Sequence, residues 1–399
     1  MNELLQFCLR NQRLFKRLVS LWYNWNDESF DNFKPSLDWD LLSLNEHIRW
    51  NKLSLDTYSY HLIWQNLSKN KSVQWDYDLM ECFFWNWDWN CLSQNTGLPW
   101  DAKLISRYKY NWNWIHLCSN PSINWRMVLN DITSIRFLDA IEEYSELLSQ
   151  NVNIDSSIEL VEKYFSLWDW VSLSGSKSIV FSDEMITKFF NYWDWDQLSA
   201  NESFPWNDDN LSKYQRNINW DYLCLNTGID WFEDFIEKYS NQLNWNSLSG
   251  NVSVKWSKNL IEKYDTRLDW HHLSSNLKLT WSNDFIRKYK NKWNWELLSA
   301  NEGIIWNDEL INDYSSEIDF IKLSRNKGLQ INGETFERYS DRWDFKELSL
   351  NPSLMWTTDF IEKYKDKWTD DLVFNEAVWM KIFRGKLDDE FFSEFLKRC

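Results

Sequence analysis

The sequence predicts an all-α protein: a tandem-repeat solenoid of about thirteen 25-residue units, each a short α/α or α/3-10 pair, with helical caps at both ends. Three observations lead there. First, a Leu-Ser-x-Asn signature returns with its asparagine at Asn45, Asn70, Asn95, Asn120, Asn151, Asn201, Asn226, Asn251, Asn276, Asn301, Asn326 and Asn351, and Ser176 fills the one vacant slot; every step is 25 residues except the 31 from Asn120 to Asn151. Second, most of the 31 tryptophans fall into columns on this frame. Third, glycine (8) and proline (5) are too scarce for a loop-rich or sandwich-like β protein.

At the N-terminus, residues 2–22 read as one amphipathic helix, with Leu5, Leu9, Phe15, Leu18 and Trp22 among its apolar positions. Its expected role is to cover the open face of the first repeat. Arg10, Arg13, Lys16 and Arg17 interrupt any signal-peptide core, and no apolar run is long enough for a membrane span.

Within a repeat, a first helix of roughly ten residues begins just after a tryptophan. Asn207, Ser257, Ser282, Asn307 and Thr357 are its caps, acids fill its first turn, and pairs such as Ile286/Tyr289 and Ile361/Tyr364 mark its apolar side. A shorter second helix follows, capped by Asp194, Asn244, Asp269, Asn294 or Asp344, and ends in Leu-Ser. The landmark asparagine after it reads as turn chemistry, a residue that tolerates the left-handed conformation and bonds nearby backbone. The stretch from asparagine to tryptophan, Ile304 to Trp306 for example, alternates like a short strand. Paired strands there would give the alternative fold, an α/β solenoid like the leucine-rich repeats, but the LxxLxLxxN pattern is absent.

The tryptophan columns stand five residues after the asparagine (Trp50 to Trp356), six before it (Trp39 to Trp295) and eight before it (Trp87 to Trp343). Their helical spacing with Leu and Ile marks them as core rather than as a sugar- or cation-stacking groove. Residues 126–182 break the rhythm with a six-residue insertion; Ser145 and Ser156 stand where Trp belongs, and Phe181 replaces another. The expected organisation is therefore a cap over 1–24, regular repeats over 25–125, irregular repeats over 126–182, regular repeats over 183–370 and a cap over 371–399.

Chemistry is harder to find. The 43 Lys+Arg against 60 Asp+Glu give a net charge of −17, which disfavours nucleic acid as a partner. The six cysteines form no CxxC pair or secreted-type framework; Cys118 and Cys224 occupy the serine slot as small buried side chains, and a cytoplasmic location fits. The five histidines make no ligand motif, so neither metal nor other cofactor is expected. A cation column (Arg107, Lys163, Lys188, Lys213, Lys238, Lys263, Lys288, Arg338, Lys363) could track phosphates, yet acids four residues earlier favour pairs within one helix.

What varies freely is the residue before each landmark asparagine and the residue four after it. These columns are not needed for the fold and are available for recognition. The expected function is thus a non-enzymatic scaffold that binds a protein or peptide, the alternative being a nucleic-acid-binding module or an acidic nucleic-acid mimic. Candidate contact residues are Lys69, Gln94 and Arg325 in the variable column, and Arg126, Arg136, Glu142 and Glu143 in the irregular region, where Ile132, Ile135, Phe137, Leu138 and Ile141 would fill the gaps left by missing tryptophans.

Overall fold

A computed structural model describes residues 3–25, 27–131, 142–151 and 157–398. Among them every element is helical, and the one trace of extended pairing is an isolated parallel bridge between Trp306 and Leu329. The α/β alternative is therefore corrected: the segment between asparagine and tryptophan is extended but too short to build a sheet. No described helix is long and apolar enough to cross a membrane.

The repeat consists of two six-residue helices, shown by Asp308–Asp313 and Phe320–Arg325. The first helix is shorter than the ten residues expected. It ends at the tyrosine, which sits at φ −124°, ψ 23° in Tyr314, and turns follow in which Glu317 and Ile318 both donate to the Tyr314 carbonyl. The Ile/Tyr spacing carries on into those turns, so it overstates the helix. All the caps read from the sequence are present: Asn207, Ser257, Ser282, Asn307 and Thr357 each accept a backbone N–H in the first turn, as do Asp194, Asn244, Asp269, Asn294 and Asp344.

The landmark asparagine departs from expectation. It is extended, at φ −76°, ψ 108° for Asn301, and no described residue other than glycine has positive φ. Its side-chain oxygen makes the expected bond to nearby backbone, but its amide nitrogen reaches the preceding repeat. The chain forms two compact units. In the one made of Ser20–Trp25 and Leu37–Ile229, Asn70 Nδ2 donates to the carbonyls of Ser43 (3.1 Å) and Asn45 (3.0 Å). Asn45, Asn95, Asn120, Asn201 and Asn226 repeat this pair of bonds. In the other, made of Met1–Val19, Asn26–Ser36 and Asp230–Cys399, Asn276, Asn301, Asn326 and Asn351 do the same. The side-chain oxygen accepts the N–H two residues on, as Asn326 Oδ1 does from Gly328 at 2.7 Å. Every one of these asparagines is buried.

The ladder survives the irregular region. Asn151 reaches across the insertion to the carbonyls of Cys118 (2.7 Å) and Asn120 (3.0 Å). Ser176 cannot span the gap, and Ser178 serves in its place: its hydroxyl contacts Ser176 Oγ at 2.8 Å and donates to the Asn151 carbonyl at 3.3 Å. The ladder also extends past its expected end, since Asn375 donates to Ser349 and Asn351 at 2.9 and 3.1 Å. A step of 24 instead of 25 hid it.

Serine has a second structural role. Ser324 Oγ donates to the Phe320 carbonyl at 2.7 Å and accepts the N–H of Asp344, the next repeat's cap, at 3.0 Å. Tryptophan supplies bulk and a donor together: Trp293 Nε1 bonds the Ile286 carbonyl, Trp270 Nε1 that of Asp265, and Trp281 Nε1 that of Asn276. At Gly328 the repeats approach so closely that a Cβ would lie 2.1 Å from the Ile304 carbonyl oxygen.

The expected N-terminal helix is two, α1 (Glu3–Arg10) and α2 (Gln12–Trp22), divided at Asn11, whose side chain also bonds the Phe7 carbonyl at 3.0 Å. In the unit holding both chain ends, Phe7 and Phe15 pack on Phe383, and Phe15 lies 4.7 Å from Phe395 of the terminal helix α4 (Asp389–Arg398), with α3 (Asp27–Phe33) adding Phe33. Arg10 pairs with Glu362, and Arg13 and Arg17 with Asp370. The two expected caps thus share one core. Ser20, in the last turn of α2, starts the other unit's ladder.

Removing one rung tests this account. Asn351→Ala strands two buried carbonyls and the Ser353 N–H, and unfolding in urea is expected to show a loss of about 3–9 kcal/mol at roughly 1–3 kcal/mol per orphaned group. Asn351→Ser, with Ser353 two residues on, recreates the Ser176/Ser178 arrangement and is expected to cost clearly less.

Candidate functional site

Because leucine, serine, asparagine and most of the tryptophan surface are consumed by the fold, function falls to the positions that remain outside. The residue before each landmark asparagine is never buried, and neither is any described residue four after it. Both variable columns are therefore available surface. Lys69, Gln94 and Arg325 end their helices exposed; Gln94 turns back to the Asn90 carbonyl at 3.3 Å, and Arg325 lies 3.9 Å from Glu347. Arg126, Glu142 and Glu143 are also exposed. Arg136 lies outside the described residues, as do Ile132, Ile135, Phe137, Leu138 and Ile141. Lys69, Gln94, Arg126, Glu142 and Glu143 belong to one compact unit and Arg325 to the other.

The cation column is engaged, although not with the partners expected. Arg107 pairs with Glu81 at 2.8 Å, Lys188 with Glu162 at 2.8 Å, Lys288 with Glu262 at 2.6 Å and Lys363 with Glu337 at 2.9 Å, in every case 26 residues back in the preceding repeat; Lys263 and Glu237 follow suit. Arg338 forms the expected pair within its helix, with Glu334, and also donates to Asn312, 26 residues back. The same cations lie over the ring that follows them, as Lys288 over Tyr289 at 5.0 Å. Hydrogen bonds from Tyr108 and Arg107 hold the Glu81 carboxyl below the usual carboxylate range, while burial and that bond push the Tyr108 phenol up to about 12.

A second set of cations covers rings six residues before the asparagine, whether half-exposed, as Trp270, or buried, as Trp245 and Phe320. Lys292 stands 4.9 Å above Trp270, Arg267 4.8 Å above Trp245 and Arg342 4.0 Å above Phe320. These rings already carry a cation and a neighbouring tyrosine, such as Tyr289 4.7 Å from Trp270, and present no open face to a sugar. Nor is the serine column a row of nucleophiles: its hydroxyls are buried and bonded on both sides, and burial pushes the Cys118 thiol up to about 12.

One surface escaped the sequence reading. Tyr60, Trp85 and Tyr110, each fifteen residues after a landmark asparagine, are 99%, 92% and 87% exposed. They lie in the turn between the two helices of three successive repeats. Phe84 supports Trp85 edge-on at 4.9 Å, and Lys109 sits 4.9 Å from the Tyr110 ring. The signal was present: Trp85 belongs to none of the columns, and later repeats place Ser166, Asn191, Arg216, Asn241, Thr266 and Asn291 there. Set against known proteins, the chain matches no family, no curated protein and no solved structure.

The inter-repeat ion pairs have a definite pH signature. Lys288, hydrogen-bonded to Glu262, lowers that carboxyl from its ordinary 4.5. A depressed carboxylate contributes its stability above the ordinary value and loses it as pH falls through the depressed one. The difference in Tm between the wild type and Glu262→Gln is therefore expected to be constant above pH 5 and to close in more acidic buffer; a difference that persists unchanged at pH 2 would show that the pair does not act through its charge.

Proposed function

We propose that this chain is a non-enzymatic scaffold, a solenoid of about thirteen repeats that binds a protein or peptide partner. The observation that carries this reading is the exposed aromatic column Tyr60, Trp85 and Tyr110. Tyrosine and tryptophan are among the residues that most often dominate protein interfaces, and aromatic side chains held open to water at the same position of three successive repeats are what such an interface uses. The variable columns beside the recurring frame of the repeat give such a surface its specificity. Direct binding of nucleic acid is less well supported, because Arg107, Lys188, Lys263, Lys288 and Lys363 are engaged with glutamates instead of forming an open ladder of charge.

The test compares the wild type with Tyr60→Ala/Trp85→Ala/Tyr110→Ala. Each protein is immobilised, proteins are captured from lysate, and the affinity of the recovered partner is measured at two salt concentrations. Since the three side chains are exposed, Tm is expected to stay put while affinity drops at least tenfold with little dependence on salt. A partner that binds both proteins equally and dissociates steeply with salt would favour acidic mimicry instead.

A further inference from the structure

The unit containing Asp230–Cys399 has a cavity of about 380 Å3 in the repeat that runs from Asn326 to Asn351, lined by Leu329, Ile331, Phe336, Leu354, Met355 and Phe360, with Asp308, Gln330, Asn332 and Lys381 among the polar groups around it. Its origin can be read residue by residue. Five positions after the asparagine the neighbouring repeats hold Trp306 and Trp356, both buried, but this one holds Ile331. Nine positions after it the neighbours hold Leu310 and Phe360, and here stands Thr335. Ten after it, Ile311 and Ile361 are matched by Phe336, which recovers part of the volume by packing against Phe360 at 5.0 Å. An indole and an aliphatic group have gone, and one ring has replaced an aliphatic chain.

We infer that this cavity is a binding slot for a tryptophan side chain of a basic partner peptide, an inference that rests on the scaffold reading and names the partner's chemistry. The volume is ample, since an engineered apolar cavity of about 150 Å3 already takes benzene. The protein itself fills the equivalent position on either side with an indole, at Trp306 and Trp356. The polar groups suit an indole edge, because Asp308, Gln330 and Asn332 offer acceptors for its N–H. Asp308 spends its carboxylate on the N–H and side-chain amide of Asn332, at 3.1 and 2.9 Å, and no cation is bonded to it there. Lys381 is turned inward onto the carbonyls of Pro352 and Leu354, at 3.4 and 2.8 Å. The acids Glu309, Glu334 and Asp359 occupy the first turns of this repeat and its neighbours and are exposed. Glu334 is paired with Arg338 and Glu309 contacts Arg287, so it is Asp308, Asp359 and the chain's net charge of −17 that favour lysine or arginine on either side of the incoming tryptophan.

The experiment uses a short peptide with one 5-fluorotryptophan between pairs of lysines, followed by 19F NMR on the full chain. A glutamate-flanked peptide, and a lysine peptide with alanine for tryptophan competing against the fluorinated one, are the controls. The lysine peptide is expected to bind at least tenfold tighter than the glutamate peptide, and the alanine peptide is expected not to compete. Ile331→Trp should fill the slot, abolish binding and raise Tm. If that variant unfolds less cooperatively than the wild type, Met355→Trp, which obstructs the cavity from an exposed lining position, is expected to weaken binding at least tenfold. Equal binding to the wild type and the filled variants would overturn the inference, as would equal affinity for the two charge patterns. So would self-association of the wild type that Trp85→Ala abolishes and Ile331→Trp also blocks, because a second copy would then occupy the slot. The scaffold reading is judged separately, by the Tyr60, Trp85 and Tyr110 variant in the other unit and its captured partner, so either can fail without the other.

Discussion

The bond from an asparagine amide to two carbonyls of the preceding repeat is the constraint on which this structure depends. A six-residue helix leaves most of its backbone groups without intrahelical partners, because its first four N–H and last four C=O groups have none. Dozens of such helices in sequence would be untenable without a systematic remedy. Here Asn301 answers the carbonyls of Ser274 and Asn276, Asn294 caps its helix with its side chain, and Ser274 takes the Asn294 N–H. Each of these bonds except the cap joins one repeat to the next. Local helical order and the contact between repeats are consequently satisfied by the same side chains, and neither has an independent existence. Tryptophan extends the principle, since an indole fills volume and silences a carbonyl at once, as Trp343 does for Phe336 at 2.9 Å. The remedy is incomplete: the indole nitrogens of Trp50, Trp125, Trp256 and Trp306 are buried without a partner, so at those positions packing outweighs the lost hydrogen bond.

Much of this was legible in the chain. The period, the two helices, their caps and the buried columns all follow from residue type and spacing, because a repeat displays each requirement many times over. What was not legible depended on which repeat a side chain reaches. A lysine such as Lys288 has an acid four residues earlier, Asp284, and another 26 residues earlier, Glu262. Spacing alone favours the first, while the stacking of repeats brings the second within 2.6 Å. The landmark asparagine posed the same difficulty: its position after a helix suggested a local turn, which its oxygen does serve, whereas the partners of its nitrogen lie a full repeat away. Asn375 was hidden by a single missing residue, and Ser178 by the fact that it substitutes for a bond rather than for a residue type.

The candidate site was legible in a weaker sense. Lys69, Gln94 and Arg325 could be named because their column varies, and variation is what an exposed position shows whether or not it binds anything. The aromatic column required the opposite operation, subtracting every tryptophan that the frame explains and asking what Trp85 was doing. The cavity at Ile331 required three substitutions to be seen together, and only their arrangement in space shows that Phe336 does not make good what Ile331 and Thr335 give up.

These features share a physical cause. Repeats held together by backbone carbonyls and buried asparagines can change a large side chain without losing register. On both sides of the cavity the rungs are intact: Asn326 bonds Ser299 and Asn301 at 2.8 and 3.0 Å, and Asn351 bonds Ser324 and Asn326 at the same distances. In a core whose stability came from apolar packing alone, exchanging Trp for Ile would be expected to destabilise by several kcal/mol and to draw the neighbours inward. Here the carbonyl ladder fixes the spacing of the backbone, so the space vacated by the indole stays open. A ladder of this kind separates the residues that set the distance between repeats from those that fill it. It is at the filling positions, and on the surface outside them, that a chain of otherwise uniform repeats can acquire a particular place to bind.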